Sequence, residues 1–191
     1  MRAAVVGHVE WIDFVRVEAV PAPGEIVHAS EAWSEAAGGG AVAAVQLANL
    51  GCETHFFTAL GDDELGHRSQ RELTARGLQL HNAWSREPQR RGVTFIDDVG
   101  ERTITVIGEK LRPHGDDASL PWEELHRCDC VYFTGGDVEQ PGRGGRVAKT
   151  AVELGGDLHA SPSFLRSRRI PDEAAWRAAS ADEPSATPIS A

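Results

Sequence analysis

Apolar and polar residues change rhythm several times along this chain, and each change predicts an element. Ala3–Gly7 (AAVVG) is an unbroken apolar run ending in glycine, which predicts a buried parallel strand. From Ile12 to Val20 (IDFVRVEAV) apolar and polar positions alternate. A Pro21-Ala22-Pro23-Gly24 turn follows, and a second extended stretch covers Ile26 to Trp33, so the two predict a half-exposed hairpin. Gly38-Gly39-Gly40 then interrupts the chain ahead of AVAAVQLANLG, where Val42, Val45, Leu47, Ala48 and Leu50 predict a mostly apolar helix ended by Gly51. Thr54 to Leu60 (THFFTAL) reads as a strand, and Gly61-Asp62-Asp63 starts a helix that runs to about Arg76 and ends at Gly77.

Gly92 to Asp98 and Arg102 to Ile107 flank Val99-Gly100-Glu101 and predict a second antiparallel pair with one wet face. Pro121 to Arg127 predicts a short helix, Cys130 to Thr134 a strand, Arg146 to Leu154 a helix, Leu158 to Ser161 a strand and Pro171 to Ala179 a last helix. Ser180 to Ala191 loses all periodicity and reads as a disordered tail. Strands alternating with helices predict one doubly wound α/β domain over residues 1–179, and the hairpins, at about 12–34 and 91–108, predict a small β lid beside it. An open sheet of this kind needs more strands than these, so a C-terminal portion is expected to be missing.

Composition narrows the chemistry. Hydrophobic residues make up 41% of the 191 positions and charged ones 25%, as in a folded globular protein. The formal charge of −10 opposes nucleic acid and anionic membranes unless a local basic patch overrides it. No apolar stretch approaches the roughly 18 residues of a membrane span, and no apolar signal stretch follows Met1, so a cytoplasmic protein is expected. Cys128 and Cys130 lack the further ligands of a metal site and read as buried thiols, and the eight histidines form no metal or triad spacing. No metal ligands are assigned. Asp62 and Asp63 read as caps of the helix that follows them.

These pieces resemble, in order, the PfkB (ribokinase-like) carbohydrate kinases over about residues 1–163. AAGGGAVAAVQLANLG followed by GDDELG resembles the family's first motif, a glycine loop opening a helix and a G-D-x-x-G turn. VVGHVEWIDFVRV followed by PAPGEIVHA resembles its first strand and lid entry. RGVTFIDDVGERTITVIG resembles its lid hairpin, and CDCVYFTGGD a later core strand. The resemblance implies a ribokinase-like doubly wound sheet with a small β lid. It also implies ATP-dependent, Mg2+-assisted phosphorylation of a sugar or nucleoside hydroxyl, with substrate contacts from Asp13, Gly38, Gly39, Gly40, Thr94, Ile96 and Asp137. A gapless comparison places Ile12 where the family has its hydroxyl-binding aspartate, and Asp13 is reached by a shift of one residue; Val42 stands where the family has a sugar-binding asparagine.

The family's catalytic aspartate belongs to a late G-A-G-D motif that the resemblance places beyond Ala191, and Gly155-Gly156-Asp157 stands in the wrong order of elements to replace it. The same missing segment binds most of the nucleotide, so these residues are expected to bind ATP poorly and to turn over little. The family also implies pairing of two copies through the lid. An alternative is a non-catalytic sugar-binding or assembly module of the same fold.

Overall fold

The computed structural model describes residues 1–115, 117–134 and the backbone of Ser163–Leu165. Its core sheet takes the order β5-β4-β1-β8-β9, built from β1 (Arg2–Val6), β4 (Glu53–Gly61), β5 (Gln79–Ser85), β8 (Cys130–Phe133) and β9 (Ser163–Leu165). β1 pairs parallel with both β4 and β8, and β4 with β5, while β9 runs antiparallel to β8. Buried on both faces, β1 can be apolar without a break. Val5 joins Phe56, Leu60, Ala41, Ala44 and Leu73 on the face covered by α1 (Gly39–Asn49) and α2 (Glu64–Ala75). Ala4, Val6 and Phe57 face the other way, against Leu111, Leu120, Trp122 and Leu125. Phe57 stacks on Trp122 with ring centroids 5.4 Å apart, and burying each such side chain contributes about 2 kcal/mol.

The second sheet takes the order β3-β2-β6-β7, from β2 (Glu10–Arg16), β3 (Glu31–Ala37), β6 (Arg91–Ile96) and β7 (Arg102–Ile107). Its two hairpins are the expected ones, joined by parallel pairing of β2 with β6. The return strand of the first hairpin differs from the expectation. It is Glu31–Ala37, not Ile26 to Trp33, and Ile26 is 92% exposed. An apolar face on one edge strand does not fix its register until it meets the core, and here Ala36 and Ala37 are its buried residues. β5 was not expected at all, and the short helix at 122–127 is a 3₁₀ turn.

Asp63 caps α2 as its spacing predicts. Its Oδ1 accepts from the Gly66 N–H at 2.9 Å, and its Oδ2 accepts from the Gln89 N–H at 2.8 Å. Gln89, 3% exposed, accepts from the Gly61 N–H through Oε1 and donates to the Val9 carbonyl through Nε2. One buried amide therefore ties the end of β4 to the chain entering β2. Cys52, Cys128 and Cys130 are free and half-buried; burial pushes the Cys128 thiol up to about 11 and raises that of Cys130. Neutral thiols of this kind are poor nucleophiles. The elements expected at 146–154, 158–161 and 171–179, and the tail at 180–191, lie outside the described residues, among which no helix is long and apolar enough to cross a membrane.

Candidate functional site

Ligands of open α/β sheets bind beyond the carboxyl ends of the strands, and here the ends of β1 and β8 meet the start of α1. A Cβ on Gly7 would lie 2.6 Å from Thr134 Oγ1 and 2.8 Å from Gly40 Cα, so the three segments touch only because both positions are glycine. Gly38 precedes the helix at φ 92°, ψ 157°, a conformation open to glycine, and offers no side chain as a cap. The first turn of α1 thus keeps donors to offer a ligand.

One of those donors, the Gly39 N–H, reaches His8 Nε2 at 3.4 Å. His8 is 8% exposed; with Nε2 accepting, its Nδ1 carries the proton, buried and without a partner. The hydroxyl oxygen of Thr134 is also buried and unpartnered. Glu10 Oε1 stands 3.5 Å from His8 Nε2 and 3.0 Å from Arg90 Nε. The Arg90 Nε–H is not aimed at that oxygen, so the contact is one of charges and not a directed hydrogen bond. Burial first, then the positive charges of Lys110, Arg90 and Arg112, lower the His8 pKa to about 4, so the ring is neutral near pH 7.

A histidine depressed in the folded state takes up its proton in the unfolded chain first. His8 therefore adds stability that is complete above about pH 6.5 and lost as the pH falls toward 4. Thermal melts between pH 7 and pH 4 are expected to show a fall in Tm with a component that His8→Gln removes. Because His81 is lowered in the same direction, the difference between the two proteins is the quantity to read.

The lid sheet sorts its residues by parity. Strand register puts Glu10, Ile12 and Phe14 of β2 on one face with Gly92, Thr94 and Ile96 of β6, Trp33 of β3, and Ile104 and Val106 of β7. Arg90 reaches Glu10 from the same side. Phe14 and Trp33 stack at 5.1 Å, Thr94 is 2% exposed, and Ile104 and Val106 are 54% and 45% exposed, which makes this face apolar and partly open. The other face carries Trp11, which packs in the core under Arg68 with 4.4 Å from guanidinium to ring centroid, and also Asp13, which accepts a hydrogen bond from the Ser34 hydroxyl.

Of the residues read from sequence, Gly38, Gly39 and Gly40 stand together at the root of β2, where a Cβ on Gly38 would be 3.0 Å from Glu10 N. Thr94 and Ile96 share their lid face with Ile12. Asp13 does not join them, because a one-residue shift along a strand turns a side chain to the opposite face. Asp137 lies outside the described residues. His8, Glu10, Arg90, Lys110 and Thr134 were missed. The legible signal was the G-H-V-E run directly after the first strand; the partners from 90, 110 and 134 arrive only through the fold. Among the described residues no group of three or more His, Cys, Asp or Glu side chains could hold a metal ion.

A parallel core carrying a separate β sheet over the strand ends is the ribokinase-like α/β fold. A putative ribokinase from Agrobacterium tumefaciens matches with a TM-score of 0.66 at 24% identity, over 81% of this chain and 50% of that one. Arabidopsis thaliana ribokinase complexed with ribose and ATP matches with a TM-score of 0.55 at 24% identity, over 78% of this chain and 49% of that one. The family model of the pfkB family carbohydrate kinases matches residues 2–177, and the chain belongs to that family. An ATP-dependent ribose-1-phosphate kinase from Halopiger xanaduensis is 30% identical over 182 residues, covering 90% of this chain and 56% of that protein. A ribokinase from Dictyostelium discoideum is 27% identical over 106 residues, covering 54% of this chain and 33% of that protein. The chain thus spans about half the length, or less, of the relatives it matches.

Proposed function

We propose that this chain supplies the acceptor-binding part of an ATP-dependent sugar or nucleoside kinase, in which the γ-phosphate passes, with Mg2+, to a substrate hydroxyl. One observation carries the reading: in a chain of the pfkB family, the uncapped start of α1 opens at the root of a lid sheet with an apolar face. N–H groups at the start of α1, beside Gly38, Gly39 and Gly40, donate to hydroxyls, Glu10 accepts from them, and Thr94 and Ile96 close over the apolar side of the ring. Ile12 takes the lid position that Asp13 leaves, and Asp13 stiffens the hairpin through Ser34. The resemblance adds Asp137 as a further contact.

Phosphoryl transfer also requires a base for the attacking hydroxyl and fixed positive ends around the moving phosphoryl group. His8 is a poor base, since burial and three cations hold its pKa near 4. The sequence contains no G-A-G-D motif. These 191 residues are therefore expected to bind a sugar or nucleoside independently of Mg·ATP and to turn it over little. Titration calorimetry with pentoses, hexoses and nucleosides, with and without Mg·ATP, reads the first expectation, and a coupled ADP assay reads the second. Robust ATP-dependent phosphorylation by this chain alone would overturn the second; absence of binding across the panel would overturn the first.

A further inference from the structure

Arg68 and Glu72 of α2 and Arg76 at its C-cap stand four residues apart, and each meets one of the two strands of the first lid hairpin. At that spacing they form one row along the helix. Leu65, Ser69 and Leu73 make the neighbouring row, which is turned to the core. The Arg68 guanidinium lies over the ring of Trp11 on β2. Glu72 Oε2 accepts from the Ala36 N–H of β3 at 3.3 Å. Arg76 donates to Glu72 Oε1 at 2.8 Å and to Glu35 Oε2 at 3.1 Å, and so bridges the helix to the strand. Trp11 pairs in register with Ala36 and Ile12 with Glu35, so all three contacts fall on two adjacent rungs of the hairpin.

Those rungs border the cleft. Glu10 immediately precedes Trp11, Ala37 and Gly38 follow Ala36, and a Cβ on Gly38 would lie 3.0 Å from Glu10 N. Trp11 and Ala36 are on the sheet face opposite Ile12 and Thr94, so α2 grips the hairpin from behind. Glu35 has the parity of Ile12, and Arg76 meets it at the open edge of β3. An edge strand leaves N–H groups without a strand partner, and the Glu72 carboxylate takes the one from Ala36. A single exposed ion pair adds little. Here one carboxylate holds both a backbone N–H and a guanidinium that reaches a second carboxylate, on a helix whose start Asp63 already fixes to the core.

We infer that Glu72 and Arg76 are positioning residues for the acceptor: without touching it, they hold the rungs from which Glu10 and the glycine turn reach the cleft. The inference rests on the kinase reading above and adds to it a control point on the far side of the lid. A ligand met by a loosened hairpin must first order it, and its apparent affinity falls with the fraction of molecules in which the hairpin is in place.

Titration calorimetry with ribose, glucose and adenosine, together with hydrogen exchange over residues 10–16 and 31–37, tests it on the 191-residue chain and its variants. Arg76→Met and Glu72→Ala are expected to weaken whichever probe the parent protein binds by about threefold to tenfold, and to speed exchange at Ala36, while the protein stays folded at the assay temperature. Glu72→Gln keeps an oxygen that accepts from Ala36, so exchange there is expected to stay slow and the affinity to fall less. Arg71→Met removes an ion pair confined to α2, with Glu64 at 3.4 Å, and is expected to leave both readouts at the parent values. Arg76→Met and Glu72→Ala proteins that bind as tightly as the parent would overturn this inference and leave the kinase reading standing, as would unchanged exchange at Ala36 in Glu72→Ala. A parent protein that binds none of the three probes would remove both.

Discussion

Alanine at Gly40 is expected to lower stability by about 3 kcal/mol and to abolish sugar binding, because the added methyl has nowhere to go. It would lie 2.8 Å from the Gly7 carbonyl carbon, His8 N and His8 O, all of them backbone, so the start of α1 and the end of β1 must separate. Alanine at Gly39 is the informative contrast. Its methyl would meet His8 Cε1 and Thr134 Oγ1 at 3.4 Å, a contact that small side-chain movements relieve. Gly39→Ala is therefore expected to cost less than about 1 kcal/mol in folding while still crowding the ligand face. Urea denaturation followed by calorimetry separates the two. Equal midpoints for Gly40→Ala and the parent protein would show that the segments do not meet as described.

The larger loss is expected from Gly66→Ala, at more than about 3 kcal/mol, since a Cβ there would sit 1.9 Å from the Gly61 carbonyl oxygen. This contact explains why the turn Gly61-Asp62-Asp63-Glu64-Leu65-Gly66 has glycine at its last position. The Asp63 cap draws the start of α2 down onto the end of β4, and only a hydrogen atom fits between them. Displacing the helix start also pulls on Asp63 Oδ2, on Gln89 and, through Gln89, on Val9 and the entry to β2. Gly66→Ala is thus expected to raise protease sensitivity at the lid as well as to lower the thermal midpoint. A variant that melts with the parent protein would contradict the close packing of Gly66 on Gly61.

Where local chemistry was strong, the sequence could be read directly. Apolar runs marked β1, β4 and β8, the first two buried on both faces, and Asp63 with Gly61 and Gly66 marked the start of α2. β5 escaped because Gln79, His81, Asn82 and Ser85 interrupt the apolar signal of a strand at the sheet edge. Its pairing with β4 and the stacking of His81 on His55 and Phe57 come from tertiary contact. The ribbons of the lid were visible as alternation, but their faces were not, since parity depends on register and register is set where β2 leaves the core. That is why Asp13 looked available and lies across the sheet from Thr94. The charged lining of the cleft was illegible for a different reason: Glu10, Arg90 and Lys110 are far apart in the chain, and nothing local in any of them announces the other two.

The lid is attached to the core by the same two strands that carry the cleft's charges. Glu10 is the first residue of β2, Arg90 immediately precedes β6, and from there the paired strands run outward as the middle of the lid. A rocking of that sheet about its base cannot leave Glu10 and Arg90 where they were. On the proposed reading, capping a ligand and gripping its polar end would therefore be one movement of a single lever, and a ligand held firmly at the base would also settle how far the cover is lowered.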